Sequence, residues 1–326
     1  MRKKLIVTTA SLSLALTSFG SITSLAESNN QQNKRIEVNG TTSNSSILSP
    51  ITSNIITDVD QQMNKISDYY YNNNLKLKDI GDYYHIIRLE NKNTTMSFSL
   101  NADDIKNLQY NDLQPQYIGE NEFRNTTDQE QTFTTASYSQ AVTNSVSSTV
   151  IQGFKATSTT SLLKIPILLP EGINLNAEFN SASNTTTTNT TTETLTAPPQ
   201  NIKVPAGRTY KVEVNLLKKK FTGDIDFHGK GTDVKSNLKV CATYYGPGFP
   251  RPTKYPSYTY STADMWRGLT TEQKKQITGV NFNNNKDLTI DGTTKVEGIY
   301  GSNLEVVVYD ITNKNIPKMV ETRTFK

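Results

Sequence analysis

Cysteine and tryptophan occur once each, and histidine twice, in 326 residues. With Cys241 alone, no disulfide can close within the chain and no paired-cysteine metal spacing exists. Cys241 reads as a small buried apolar side chain rather than a nucleophile. His85 and His228 are far apart, and His85 lies in a strand-like aromatic stretch where it reads as structural. Neither belongs to an H-E-x-x-H pattern, and no G-x-S-x-G is present. Gly229-Lys230-Gly231 ends like a P-loop, but no Ser or Thr follows the lysine. No spacing singles out a pair of catalytic carboxylates. The chain therefore reads as no enzyme and calls for no metal and no cofactor. There is no concentrated basic stripe, which excludes a nucleic-acid partner. Apolar residues make up only 34%, while Ser, Thr and Asn abound, which suits β-sandwich cores better than a thick helical or doubly wound one.

The N-terminus carries the first specific signal. Met1-Arg2-Lys3-Lys4 is basic, Leu5 to Phe19 is apolar but diluted by Ser and Thr, and Ser24-Leu25-Ala26 has a small-x-small pattern. This is the layout of a secretory signal cleaved after Ala26, and the apolar run is too short and too polar to span a bilayer. Loss of residues 1–26 removes Arg2, Lys3 and Lys4, and so takes the net charge from +4 to +1. Residues 27–48 are polar and without periodicity, an exposed leader in which Lys34-Arg35 is either a site for a trypsin-like protease or an ordinary solvated pair.

Apolar residues at Ile51, Ile55, Val59, Met63, Ile66 and Tyr70 predict a helix over 50–71, opened by Pro50. A shorter helix is expected from Leu269 to Ile277. Strands are expected over Tyr83–Leu89, Met96–Leu100, Phe123–Val150, Ile202–Leu217, Leu238–Tyr245, Leu288–Val296 and Leu304–Ile311, all rich in β-branched and aromatic residues. Ser181 to Thr196 holds nine threonines, which favour extended strands and tolerate water on either face.

Between Val146 and Asn184 the pattern folds back on itself. From Ile173 to Asn180 apolar and polar residues alternate strictly, with Ile173, Leu175, Ala177 and Phe179 on one parity. The outgoing limb carries Val150, Phe154, Ala156, Ser158, Thr160 and Leu162 on one parity and Lys155, Thr157, Thr159 and Ser161 on the other. Between the limbs runs Leu163 to Gly172, with Ile165, Ile167, Leu168 and Leu169 ahead of a Pro170-Glu171-Gly172 turn signal. Pairing positions that add to 333 sets Phe154 opposite Phe179, Ala156 opposite Ala177, Ser158 opposite Leu175 and Lys155 opposite Glu178. Period-2 alternation puts one face in apolar surroundings and the other in water. A limb of about 17 residues reaches about 56 Å, more than the roughly 30 Å hydrocarbon core. The alternation fits either a surface hairpin with its apolar face on a sandwich core or a hairpin that crosses a membrane, with Lys155 and Glu178 on the lumen side, where their charges nearly cancel; the apolar loop tip is explained by the second alone. An isolated hairpin leaves unpaired backbone edges in lipid, so several copies must close a barrel.

These residues resemble the epsilon-toxin and mosquitocidal-toxin family of aerolysin-type β-pore-forming toxins, most of all its mosquitocidal members. The marks run from about Phe98 onward: Asn125-Thr126-Thr127-Asp128-Gln129-Glu130-Gln131, the amphipathic hairpin, the Thr/Asn-rich return strand and Ile202-Lys203-Val204-Pro205-Ala206-Gly207. Asp287 to Gly292 and Gly301 to Val306 complete them. The resemblance implies an elongated, mainly β, multi-lobed aerolysin-like β-sandwich protein with a small α+β N-terminal head. That head is 49–118 with part of 241–265, the central sandwich 119–240 carries the hairpin 146–184, and 266–326 forms a C-terminal sandwich segment with a cap peptide. It implies a secreted protoxin that meets a target-cell membrane and a surface receptor (glycan, lipid or protein), is trimmed by an activating protease, and assembles with itself into rings of about seven. Lys318 and Arg323 are then either trimming sites or exposed tail charges. Tyr69-Tyr70-Tyr71 and Phe249, the latter within Tyr244 to Tyr260, resemble the family's aromatic receptor contacts. The competing reading is a secreted β-sandwich adhesin or lectin without a pore, which leaves the apolar tip unexplained.

Overall fold

The computed structural model describes residues 55–157 and 161–326, with the side chain of Glu171 left out. The signal segment 1–26, the leader 27–48, Ile51, and the pair Lys34 and Arg35 lie outside the described residues. The rest is mainly β. In chain order the elements are β1 (Ile55–Asp58), α1 (Val59–Tyr70), β2 (Tyr84–Ala102), β3 (Lys106–Asp112), β4 (Gln116–Arg124), β5 (Gln131–Thr134), β6 (Tyr138–Lys155), β7 (Leu162–Leu168), β8 (Asn174–Asn180), β9 (Thr187–Ala197), β10 (Asn201–Val204), β11 (Thr209–Tyr244), β12 (Ser257–Ser261), α2 (Thr262–Arg267), α3 (Thr271–Lys275), β13 (Asn281–Phe282), β14 (Leu288–Asp310) and β15 (Lys318–Phe325).

Eleven strands form one sheet around β11. The strand order runs β1-β6-β14-β11-β12; β2, β3 and β4 pair with β11, β9 with β6, and β13 and β15 with β14. β11 is 36 residues long, and at about 3.3 Å per residue it extends roughly 120 Å. Its alternation of Val, Leu, Ile and Phe with polar residues buries even positions up to Leu216 (Val212, Val214) and, past the irregularity at Leu217/Lys218, odd positions (Phe221, Ile225, Phe227). Two apolar clusters result. One gathers Val142, Leu195, Ile202, Val212, Leu304 and Val306. The other, larger one joins α1, β2, the hairpin β7–β8 and the middle of β11 and β14.

The helix expected over 50–71 begins later. Asp58 caps it by accepting from the Gln61 N–H at 3.0 Å, and Ile55-Ile56-Thr57 ahead of it pair in parallel with Gln152–Phe154 of β6. A β-branched run prefers a strand when an edge is on offer. The helix expected from Leu269 to Ile277 shrinks to α3, started by a capping box between Thr270 and Gln273. α2 was not expected from the sequence. The long strand expected over Phe123–Val150 is broken into β4, β5 and β6, because Asn125 is buried and ties a loop together. Its amide donates to the Gln129 and Val204 carbonyls at 2.7 and 2.8 Å, and its Oδ1 accepts from the Thr127 N–H at 2.9 Å. In the opposite direction, Leu288–Val296 and Leu304–Ile311 merge into β14, and Tyr83–Leu89 and Met96–Leu100 into β2. The Pro205-Ala206-Gly207 turn, with Gly207 at φ +71°, ends β10 and lets β11 begin.

Candidate membrane-insertion site

β6 and β9 lie side by side, Val146 opposite Asn189 and Tyr138 opposite Ala197. Their outer face is a ladder of hydroxyl pairs: Ser139 with Thr196 at 2.9 Å, Ser147 with Thr188 at 2.9 Å and Thr149 with Thr186 at 2.7 Å. Their inner face buries Val142, Val146, Val150 and Phe154 from β6 and Leu195 and Ala197 from β9. The low-complexity run is thus ordered strand from Thr187 onward.

Between β6 and β9 the chain makes an excursion. β7 and β8 form a separate two-stranded hairpin, paired among the described residues only with each other. Pro170 to Gly172 turn through one short 3₁₀ segment, Gly172 at φ +70°, and the Leu169 N–H closes on the Ile173 carbonyl at 2.8 Å. Odd positions face the body. Ile167, Leu169, Ile173, Leu175, Ala177 and Phe179 are buried, and the Phe179 and Phe154 rings both pack on Phe227, at 5.2 and 5.4 Å between centroids. Leu162 and Leu168 face solvent, 65% and 73% exposed, and Leu163 and Ile165 are half-buried.

The pairing differs from the expected one. Lys164, not Lys155, stands opposite Glu178, with their charges 2.9 Å apart; Leu163 faces Phe179, Ile165 faces Ala177, and Ile167 faces Leu175. The Lys164 ammonium, helped by Asn189, holds the Glu178 carboxyl below its usual range. Lys155 instead meets Asp58 at 3.0 Å. The Thr157 N–H and hydroxyl both donate to Asp60 at the start of α1, the N–H at 2.9 Å. The reason is local. Alternation alone cannot tell which of two antiparallel registers wins, and the Pro-Glu-Gly turn decides for β7–β8. Ala156 is buried in the same cluster as Phe179.

The predicted aromatic contacts separate. Tyr71 is buried; Tyr69 and Tyr70 pack against the core, Tyr70 on Tyr260 at 4.9 Å. Phe249 is 94% exposed, at the tip of a loop held by a hydrogen bond from Tyr84 Oη to the Pro252 carbonyl (2.9 Å) and one from Tyr244 Oη to the Pro247 carbonyl (2.7 Å). Gly248, at φ +94°, supplies the backbone geometry. Arg251 lies over the Tyr244 ring at 4.8 Å, and His85 stacks on Tyr245 at 4.8 Å. Tyr83, Tyr245 and Tyr255, half exposed around this loop, were not singled out from the sequence; the signal was their position beside its glycines and prolines. Lys318 is exposed at the start of β15. Arg323 is held on Glu321 at 2.7 and 2.9 Å and on Gln200 at 2.8 Å, within a strand paired to β14. Cys241 is buried, as the sequence suggested.

Among the described residues, no helix is long and apolar enough to cross a membrane, which bears on helices alone. A mainly β body with an amphipathic hairpin folded against it defines the class. The chain belongs to the Clostridium epsilon toxin ETX/Bacillus mosquitocidal toxin MTX2 family, whose sequence profile matches residues 70–321. Solved structures that share the fold include two relatives in shape. The Mpp75Aa1.1 β-pore-forming protein from Brevibacillus laterosporus is 19% identical, with a TM-score of 0.53 over 82% of this chain and 95% of that one. A non-toxic crystal protein from Bacillus thuringiensis is 13% identical, with a TM-score of 0.50 over 82% of this chain and 99% of that one. No curated protein matches the sequence.

Proposed function

We propose that this chain is a secreted protoxin that binds a receptor on a target cell, is trimmed by a protease, assembles with copies of itself and inserts a β-barrel through the membrane. The observation that carries this is the β7–β8 hairpin. Among the described residues its strands pair with nothing but each other, one face is apolar, and the strands on either side of it, β6 and β9, are already paired and amphipathic. Burial on the body hides the apolar face; withdrawn, that face suits hydrocarbon. Membership of a toxin family supports the reading. No catalytic step is invoked.

The surface around Phe249, with Tyr83, Tyr245 and Tyr255, is the proposed receptor contact, since exposed rings with polar tips suit recognition. Trimming near Lys318 would strip β15 from the β14 edge at Leu304–Asp310 and leave a pairing-competent strand for a neighbouring copy. The same aromatic surface would serve an adhesin, so binding alone does not separate the two readings.

Dye release from receptor-bearing cells, before and after limited trypsin treatment, does separate them. Leakage that requires trypsin, together with an SDS-resistant oligomer, is the expected result. Leu168 is exposed, so Leu168→Asp should leave stability within about 0.5 kcal/mol. The same change should abolish leakage. Binding without leakage under every activation condition would leave the adhesin.

A further inference from the structure

Two hairpin registers are written into the segment from β6 to β9. Between β6 and β9, paired residue numbers add to 335, as for Val146 with Asn189. Between β7 and β8 they add to 342, as for Lys164 with Glu178, an offset of seven residues. The outgoing limb therefore holds seven residues more than the return limb can pair. The phases also disagree. β6 turns its even residues inward (Val146, Val150, Phe154), whereas β7 turns its odd residues inward (Ile167, with Leu163 and Ile165 half-buried). β8 and β9 both turn their odd residues inward, so the mismatch lies on the outgoing limb alone.

We infer that, on insertion, the outgoing limb slips by seven residues past the return limb, so that the β6–β9 register runs on to the tip. The inference rests on the pore reading above. Three observations carry it. The β7 and β8 limbs are seven residues each, about 23 Å at 3.3 Å per residue, short of the roughly 9–11 residues a tilted membrane strand needs. A seven-residue surplus within the hydrocarbon would leave backbone groups unpaired, which lipid does not tolerate. Continuing the 335 register gives two clean faces. Ala156 comes opposite Phe179 and Leu162 opposite Ile173 on one; Lys155 comes opposite Asn180, Thr157 opposite Glu178 and Ser161 opposite Asn174 on the other. Leu162, left in solvent by the present register, gains an apolar partner. Lys164 leaves its partner Glu178 and moves into the tip loop 163–172. The lumen then keeps Glu178 across from a threonine, beside a rim of asparagines and hydroxyls.

Cysteine pairs in the full chain read the register directly, on a Cys241→Ala background. Lys164→Cys with Glu178→Cys reports the 342 register, and Thr157→Cys with Glu178→Cys the 335 register. The first pair should link in the soluble protein, and the second only in the trypsin-activated oligomer on receptor-bearing cells. A reversible link across the first pair should stop leakage until it is reduced. Leakage that persists with 164 and 178 linked would overturn the slip and leave the pore standing. If the parent chain never leaks from such cells, the pore reading falls and takes the slip with it.

Discussion

At the scale of single residues, the hairpin is held by a few aromatic contacts, and the neighbouring β6 carries one uncomfortable hydroxyl. Phe179 is fully buried on Phe227, and Phe179→Ala should cost about 3–5 kcal/mol in urea unfolding followed by Trp266 fluorescence. Ser148 sits on the inner face of β6, fully buried, and its Oγ meets no hydrogen-bond partner among the described residues. An unmet buried hydroxyl costs about 1–3 kcal/mol. Ser148→Ala should therefore raise the unfolding midpoint, and should slow pore opening if β6 must shift to insert. A lower midpoint would show that the hydroxyl is satisfied after all. Much of this was legible from the sequence. The parity of Ile173, Leu175, Ala177 and Phe179 named the buried face of β8, and it is buried. The partners of Lys155 and Glu178 were not legible, because Asp58 and Lys164 are brought to them by pairing rather than by spacing.

At the scale of elements, strand identity was readable and strand length was not. Alternation marks a strand wherever it occurs. The joins in β14 pass through Gly298 and Gly301, which look like breaks in the sequence; Gly298 is paired on both sides, with Phe221 and Val146, and Gly301 is carried by its pairing with Lys218. Charged groups tie neighbouring strands. His228 on β11 meets Asp291 of β14 at 2.8 Å and Asp103, just past β2, at 3.2 Å. The Asp291 carboxylate first, then Asp103, raises its pKa above the ordinary 6.5 against the opposing effect of burial. A raised histidine contributes stability below its unfolded value and loses it as pH climbs through the folded one. Thermal midpoints should fall as pH rises from about 6.5 through that raised value. His228→Gln should flatten this part of the profile; an unchanged slope would assign it to other groups.

At the scale of the whole molecule, fold class and the hairpin were visible in composition and alternation, and in the resemblance of the segments from about Phe98 onward. β15 pairs antiparallel with the end of β14, from Leu304 opposite Phe325 to Asp310 opposite Lys318, a register which no local pattern announces. A chain ending after residue 317 should form SDS-resistant oligomers on receptor-bearing cells without trypsin. A truncated chain that stays monomeric there would remove β15 from the activation step.

β11 has partners along both edges, with β4, β3 and β2 on one side and β14, then β12, on the other. Among the described residues, β7 and β8 have only each other. Under tension along its axis, β11 loads a long row of ladder bonds together, in shear. The β7–β8 hairpin, drawn away from the body, peels off a contact at a time. A pull between the far end of β11 and the hairpin would thus be taken up as extension of the hairpin, with the long sheet as the anchor it is drawn against.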